Sequence, residues 1–425
     1  MTAIARHSTT AHLLKLSRDP AAWSTAADVF AILLAIALPS STWLVAIFAL
    51  AMLVAMGPYL DIEAFLRTLK RPIAAVPVAL FVLAVIGTLW TDAPWGTRLY
   101  AILPTVKLLA LPFLFYHFER SERGTAVFVA FLASCTLLAV MSWIVAYNPA
   151  LSLKPVGEAS RGIFVKNYID QSQEFTLCAV ALAYPVVMLV RAQKIPQALL
   201  LAAIAVSFVL TMTFVVVSRT ALVTMPIMLA VFGLTHLTRQ TNFAILSLAI
   251  VIAGAAWVAS PQLEHTVSTF QRDYQLYEEN GTSTSIGERL EYWQKSLRSL
   301  VEAPVIGHGT GSTRGLFEQA ATGPAVLAAG KVINNPHNQI LNVAVQGGTV
   351  GRAVLFAMWF LHLLLFRGPG LANWIGLLVV VQNIFTSLFN SHIFDFHEGW
   401  MYVLGVGVAG GMVLKGRSSK PEAGR

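Results

Sequence analysis

Long, uninterrupted apolar runs separated by short polar breaks dominate the chain. A helix that crosses a bilayer needs about 20 mostly apolar residues. On that measure twelve segments qualify, with cores at 26–39, 41–57, 72–90, 99–117, 125–147, 172–191, 196–217, 220–237, 242–259, 338–366, 370–389 and 399–415. The first two are short and separated only by the turn Pro39-Ser40-Ser41. The runs are continuous rather than alternating, which selects helices over a transmembrane barrel. No internal repeat is visible, which weighs against an inverted-repeat transporter.

One sizeable polar segment interrupts this pattern, from Ser260 to Pro336. It contains the helical stretch SIGERLEYWQKSLRSLVEA, which stops at Pro304, and then the Gly-rich GHGTGS, read as a flexible turn near a phosphate. The expected organisation is an N-terminal bundle of nine spans over 1–259, a helical insert over 260–336, and three further spans with a tail over 337–425. A single long insert on a helical scaffold is the default place for a site.

Composition agrees with the pattern. The chain is 56% hydrophobic and 12% charged, against about 25% charged in an average soluble domain. That apolar surface needs lipid around it. The formal charge of +8 would suit nucleic acid, but no basic stripe with interleaved aromatics accompanies it. Lys and Arg gather instead in alternate loops: Arg67, Lys70 and Arg71; Arg120 and Arg123; Arg191 and Lys194; Arg239; Arg367; and the tail with Lys415, Arg417 and Lys420. Basic loops stay cytoplasmic, which places both termini inside and the insert outside. The polar, basic first 20 residues lack the apolar core of a signal peptide and read as a retained cytoplasmic tail. Cys135 and Cys178 both fall within expected spans and offer neither a disulfide framework nor a metal spacing.

Four features on the outer side carry candidate chemistry. Arg219, in VVVSRTALV, sits at the hydrocarbon edge between two spans. It either anchors to headgroups or holds a phosphate, whose oxygens match the guanidinium fork. Arg289 lies on the charged helix of the insert with Glu288, Glu291, Lys295 and Arg298, a pattern that also suits a solvated face. Arg161, with Lys154 and Lys166 nearby, lies between spans five and six. All three arginines share one side of the membrane, and a diphosphate calls for several cations from separate loops. His337 follows Pro336 where the insert returns to the membrane; imidazole is the side chain best suited to take a proton near neutral pH. In SHIFDFHEGW, His392 and Asp395 can share a helical face but His397 cannot, so a polar loop end is favoured there over a metal site.

These residues carry a resemblance. HNQILNVAVQGGTVG is similar to the pattern of O-antigen ligases: a His, an Asn, nine residues, a Gly, two residues and a Gly, here His337, Asn338, Gly348 and Gly351. GERLEYWQKSLRSLVEAPVIGHGTGS resembles a stretch shared by O-antigen ligases and Wzy-type polymerases. With the span pattern and the long insert, the likeness covers nearly the whole chain.

The resemblance implies a GT-C-like, all-α enzyme of the Gram-negative inner membrane. Such an enzyme moves O-antigen from undecaprenyl diphosphate to a sugar of lipid A–core on the periplasmic side, with inversion and without metal or cofactor. The family's essential His maps to His337 and its essential arginines to Arg219 and Arg289. Arg161, Lys166, Asn338, Gly348 and Gly351 are expected along the substrates. The rival readings are a Wzy-type polymerase, a protein O-oligosaccharyltransferase and, more remotely, a secondary transporter.

Overall fold

The computed structural model describes residues 19–419 except 153, 242–246, 248–250, 252, 253 and 256, and gives no side chain for 262. Helices make up its regular structure, and no strand occurs among the described residues. The first four are α1 (Pro20–Ala37), α2 (Thr42–Met56), α3 (Ile62–Leu69) and α4 (Pro72–Ile86). Next come α5 (Trp95–Val106), α6 (Ala110–Phe118), α7 (Gly124–Tyr147), α8 (Tyr168–Ala181) and α9 (Ala183–Arg191). They are followed by α10 (Ile195–Phe214), α11 (Arg219–His236), α12 (Pro261–Asn280), α13 (Ser285–Glu302) and α14 (Thr313–Gln319). The last three are α15 (Gln339–Leu365), α16 (Leu371–Thr386) and α17 (Phe396–Ser418).

Local chemistry sets the helix starts. Asp19 accepts from the Ala21 amide with Pro20 at the first position, Ser41 accepts from Leu44 N, and Asn338 accepts from Leu341 N at 3.1 Å. Pro104 interrupts the expected span at 99–117, which divides into α5 and α6 across the turn Lys107–Leu109.

Among the described residues nine helices, taking α5–α6 and α8–α9 as single passages, are long and apolar enough to cross a membrane. The apolar α16 is shorter. The expected span at 242–259 lies largely outside the described residues, as do the N-terminal tail and Lys420.

The helix α17 is largely enclosed, glycine-rich and packed on α6 and α16. A side chain at Gly410 or Gly411 would run into Phe115 or Phe118 of α6, so the two backbones meet at a distance that only glycine permits. At the other extreme, many large apolar side chains of α2, α5 and α7 point outward, among them Trp43, Trp95 and Tyr147 at helix ends, as an interfacial aromatic belt would.

Two helices go beyond the sequence expectation. α3 is a short amphipathic helix capped by Asp61. α12 precedes α13 as a hairpin; Gly281 ends it with φ +64°, Thr284 Oγ1 donates to Asp273 O at 2.8 Å, and Tyr277 OH donates to Glu291 Oε1 at 2.8 Å.

The Gly-rich stretch 307–312 is buried and locked, not a flexible turn. α15 is broken at Gly348, which has φ +59° and ψ −149°. In an unbroken helix the amides of 349 and 350 would bond the carbonyls of 345 and 346. Instead Thr349 N donates to Pro304 O (2.8 Å) and Val350 N to Val305 O (3.1 Å). The freed Val345 and Gln346 carbonyls accept from His308 N (2.9 Å) and Gly309 N (3.0 Å). The loop 304–309 is thus inserted into the helix's own hydrogen-bond ladder. Thr310 then ties it to the end of α4, its N donating to Gly87 O at 2.9 Å and its Oγ1 to Ala84 O at 2.6 Å. Irregular backbone at this depth is tolerated because protein, not lipid, surrounds it.

Candidate functional site

One end of the bundle collects the chemistry. The loop 387–395 between α16 and α17, the entry to α15, the start of α8, the start of α11 and the hairpin α12–α13 all meet there. Ser260 Oγ donates to Thr213 O at 2.6 Å, tying the foot of α12 to the end of α10.

His337 stands at the last turn before α15 with φ +51°, a left-handed backbone that costs a β-carbon-bearing residue about 1–3 kcal/mol. Its amide donates to Asn335 Oδ1 at 3.0 Å, and Ser391 Oγ donates to the same oxygen at 2.7 Å. The following residues dock on the α16–α17 loop. Gln339 N donates to Ser387 O (2.8 Å), Asn338 Nδ2 to Leu388 O (3.2 Å) and Ile393 N to Gln339 Oε1 (3.0 Å). The imidazole Nδ1 lies 2.8 Å from Asn390 Oδ1, and its ring centroid is 6.0 Å from that of Tyr292 on α13.

Arg219 opens α11. Its guanidinium donates to Asp273 Oδ2 (3.0 Å) and Thr269 Oγ1 (2.6 Å) on α12 and packs over Phe270 at 4.5 Å. Arg289 lies one turn before Tyr292 on α13 and donates from NH1 to Ser285 Oγ at 2.8 Å. Its Nε is buried and has no hydrogen-bond partner among the described residues. Burial lowers the Arg289 pKa, the Tyr168 phenol opposes that, and the Arg219 charge lowers it further. The two guanidinium groups therefore feel one another. Arg161 is exposed and sits over the Tyr168 ring at 5.0 Å. Arg219 already has the Asp273 carboxylate, so it is Arg289, disfavoured by burial and by the neighbouring charge, that an added anion would relieve.

Not every expected residue turns toward this neighbourhood. Lys166 is buried, donating to Glu174 Oε1 at 2.9 Å and to the Leu38 carbonyl, so it caps the end of α1 rather than offering a free cation. Asn338 spends its side chain capping α15 and bonding Leu388 O. Gly348 forms the break described above. A β-carbon on Gly351 would lie 3.0 Å from Val343 Cγ1 and 3.2 Å from Val343 O. Both glycines are held in place by close backbone packing.

Sequence reading singled out His392 and Asp395 as a polar loop end but missed Asn390, Gln173 and Glu398, which join them. Asn390 Nδ2 donates to Asp395 Oδ2 at 2.7 Å. The His392 Nδ1 is 3.2 Å from Asp395 Oδ2 and 3.6 Å from Glu398 Oε1. Gln173 Nε2 reaches His392 Nε2 (3.2 Å) and Glu398 Oε1 (3.3 Å) from α8. The ligand atoms of His392, Asp395 and Glu398 all lie within 4.8 Å of one another, so these are the side chains that could gather round a cation. The amides of Asn390 and Gln173 already serve the two carboxylates, and the cluster is read here as a hydrogen-bonded anchor. His397 points elsewhere, 4.0 Å from Asp170, as its position on the helix requires. Lys107 of the α5–α6 turn donates to the carbonyls of Phe394 and Asp395 and holds the loop from below.

Among the described residues, helices without strands, many of them of membrane length, define a polytopic membrane protein with a cation-bearing polar cluster at one end. Residues 204–357, a segment that contains Arg219, Arg289 and His337, match the family model described as O-antigen ligase. A stretch of 105 residues is 29% identical to an uncharacterized protein of Haemophilus influenzae, covering 24% of this chain and 26% of that protein. The chain thus matches about a quarter of that relative's length.

Proposed function

We propose that the protein is an O-antigen ligase. It transfers an O-antigen glycan from undecaprenyl diphosphate to a sugar hydroxyl of lipid A–core, at the periplasmic face of a Gram-negative inner membrane. The observation that carries this reading is that the segment matching the O-antigen ligase family model holds Arg219 and Arg289 in mutual electrostatic reach, with His337 beside the helix that bears Arg289.

In this reading the fold has twelve spans, with the hairpin segment 260–336 outside as a lid over the headgroups. Arg219 and Arg289, with Arg161 at the rim, hold the diphosphate. The buried, unpartnered Arg289 Nε supplies a donor waiting for an acceptor. The acceptor hydroxyl gives its proton to His337 Nε2, and its oxygen bonds the anomeric carbon from the face opposite the diphosphate. The bond from that carbon to the phosphate oxygen breaks, its electron pair leaving with the diphosphate. Configuration inverts, and the arginines stabilise the charge that develops, so the step calls on no metal.

The test is transfer by purified protein supplied with lipid-diphosphate-linked glycan and lipid A–core, with and without chelator. Ligated product that survives chelation is expected. His337→Ala should lose about 10²–10⁴-fold of the rate and Arg219→Ala about 10²–10³-fold, with the proteins still inserted and folded. Lengthening of the carrier-linked glycan alone would make the protein a polymerase. Movement of the lipid without bond formation would make it a transporter, and full activity in either variant would remove that residue from the chemistry.

A further inference from the structure

We propose that Asn390 is the positioning residue of His337, holding the imidazole as the Nδ1–H tautomer so that Nε2 carries the lone pair, and that Asp395 fixes the Asn390 amide. The assignment follows from two consecutive contacts. An ionised carboxylate can only accept hydrogen bonds, so the 2.7 Å contact between Asp395 Oδ2 and Asn390 requires the amide NH₂ at that end. The opposite orientation would set two oxygens against each other. With Nδ2 committed, Oδ1 is the atom presented to His337, and an amide oxygen can only accept. The 2.8 Å contact therefore makes His337 Nδ1 the donor. A neutral imidazole has one N–H, so Nε2 is left as the basic nitrogen.

The surroundings keep this chain of donors in place. Asp395 lies against the ring of His392, which is 1% exposed and whose Nδ1 is near both Asp395 and Glu398 without hydrogen-bonding either. Lys107 holds the backbone of the same loop through the Asp395 carbonyl. On the other side, the left-handed backbone of His337 and its amide bond to Asn335 Oδ1 fix where the ring begins. Both ends of the imidazole's reach are thus set before any acceptor arrives, which is the condition for proton transfer without reorganisation. The role in transfer rests on His337 acting as base under the proposed function; the tautomer itself does not.

The closing experiment separates the two. In protein labelled with ¹⁵N-histidine and held in bilayers, the His337 resonances, assigned by their loss in His337→Gln, report which nitrogen carries the proton. Wild type should show the Nδ1–H form at a pH where the ring is neutral. Asn390→Ala should shift His337 toward the Nε2–H form. Asp395→Ala should do so in part, and Asp395→Asn, which keeps an acceptor oxygen for the amide, should restore wild-type behaviour. In the transfer assay Asn390→Ala should lower kcat by roughly 10–10²-fold with KM for the lipid-linked glycan unchanged. An Nε2–H ring in wild type, or a tautomer indifferent to Asn390, overturns the proposal. A tautomer that follows Asn390 while transfer is unaffected supports the positioning and removes His337 from the reaction instead.

Discussion

Lys166 and Arg289 show two fates of a cation in a lipid-embedded fold. In the sequence both stand in polar stretches outside the spans, and nothing in their spacing tells them apart. In the structure Lys166 is buried against Glu174, whose side chain is fully enclosed, and bonds a carbonyl 128 positions earlier in the chain. It caps the end of α1 and gives the enclosed Glu174 side chain a partner inside the bundle. Removing one partner of a buried pair strands the other, at about 3–5 kcal/mol, whereas replacing both by apolar groups is close to neutral. Lys166→Met should therefore lower the detergent-solubilised unfolding temperature sharply, and Lys166→Met with Glu174→Leu should recover most of it. Arg289→Ala should do the reverse. Its Nε has no partner to lose, so stability should hold while transfer falls about 10²–10³-fold. Equal melting losses in the Lys166 and Arg289 variants would contradict the division drawn between them.

The elements themselves were largely legible, because hydropathy over some 20 residues is a direct record of the bilayer. What hydropathy does not record is backbone meeting backbone. The segments 304–309 and 345–350 complete each other's hydrogen bonds across a gap in sequence that has no periodicity, and their glycines read simply as a loop and as part of a motif. Asn390 escaped for a related reason: its importance lies in two contacts, to residues 53 positions before and 5 after it, and a lone Asn in a polar loop is unremarkable in composition. Arg219 stood out in the sequence because charge at a hydrocarbon edge is costly, whereas His337 and Arg289 were singled out through the resemblance.

The inserted loop makes its own prediction. Gly348 adopts a conformation essentially closed to other residues, and a β-carbon there would overlap the Val305 carbonyl carbon and oxygen. Gly348→Ala should expel the loop and expose the four amides and four carbonyls that now pair. Faster hydrogen exchange at the amides of 308, 309, 349 and 350 would report it, with a drop in melting temperature and loss of transfer, since α13 leads directly into that loop. Unchanged exchange at those four amides would mean that the ladder is not shared in solution.

For the whole molecule, the question is which way the bundle faces. Every cation proposed to touch substrate belongs to the end that carries α12 and α13, while Arg71, Arg123, Arg191 and Arg367 close the loops at the other end. The positive-inside rule assigns that second end to the cytoplasm, which leaves the hairpin and His337 where carrier-linked glycans would have to arrive. The chain offers an unusually clean way to check this. Its two cysteines, Cys135 and Cys178, are both buried, so the native protein should give little background with a membrane-impermeant maleimide. Single cysteines placed at Glu278 on α12 and at Arg367 between α15 and α16 are both exposed positions. In intact spheroplasts Glu278→Cys should label at once, and Arg367→Cys only after the membrane is opened. The opposite order would put the arginines and the imidazole on the cytoplasmic side. The positional argument for a periplasmic transfer would then collapse even if each local contact were as described.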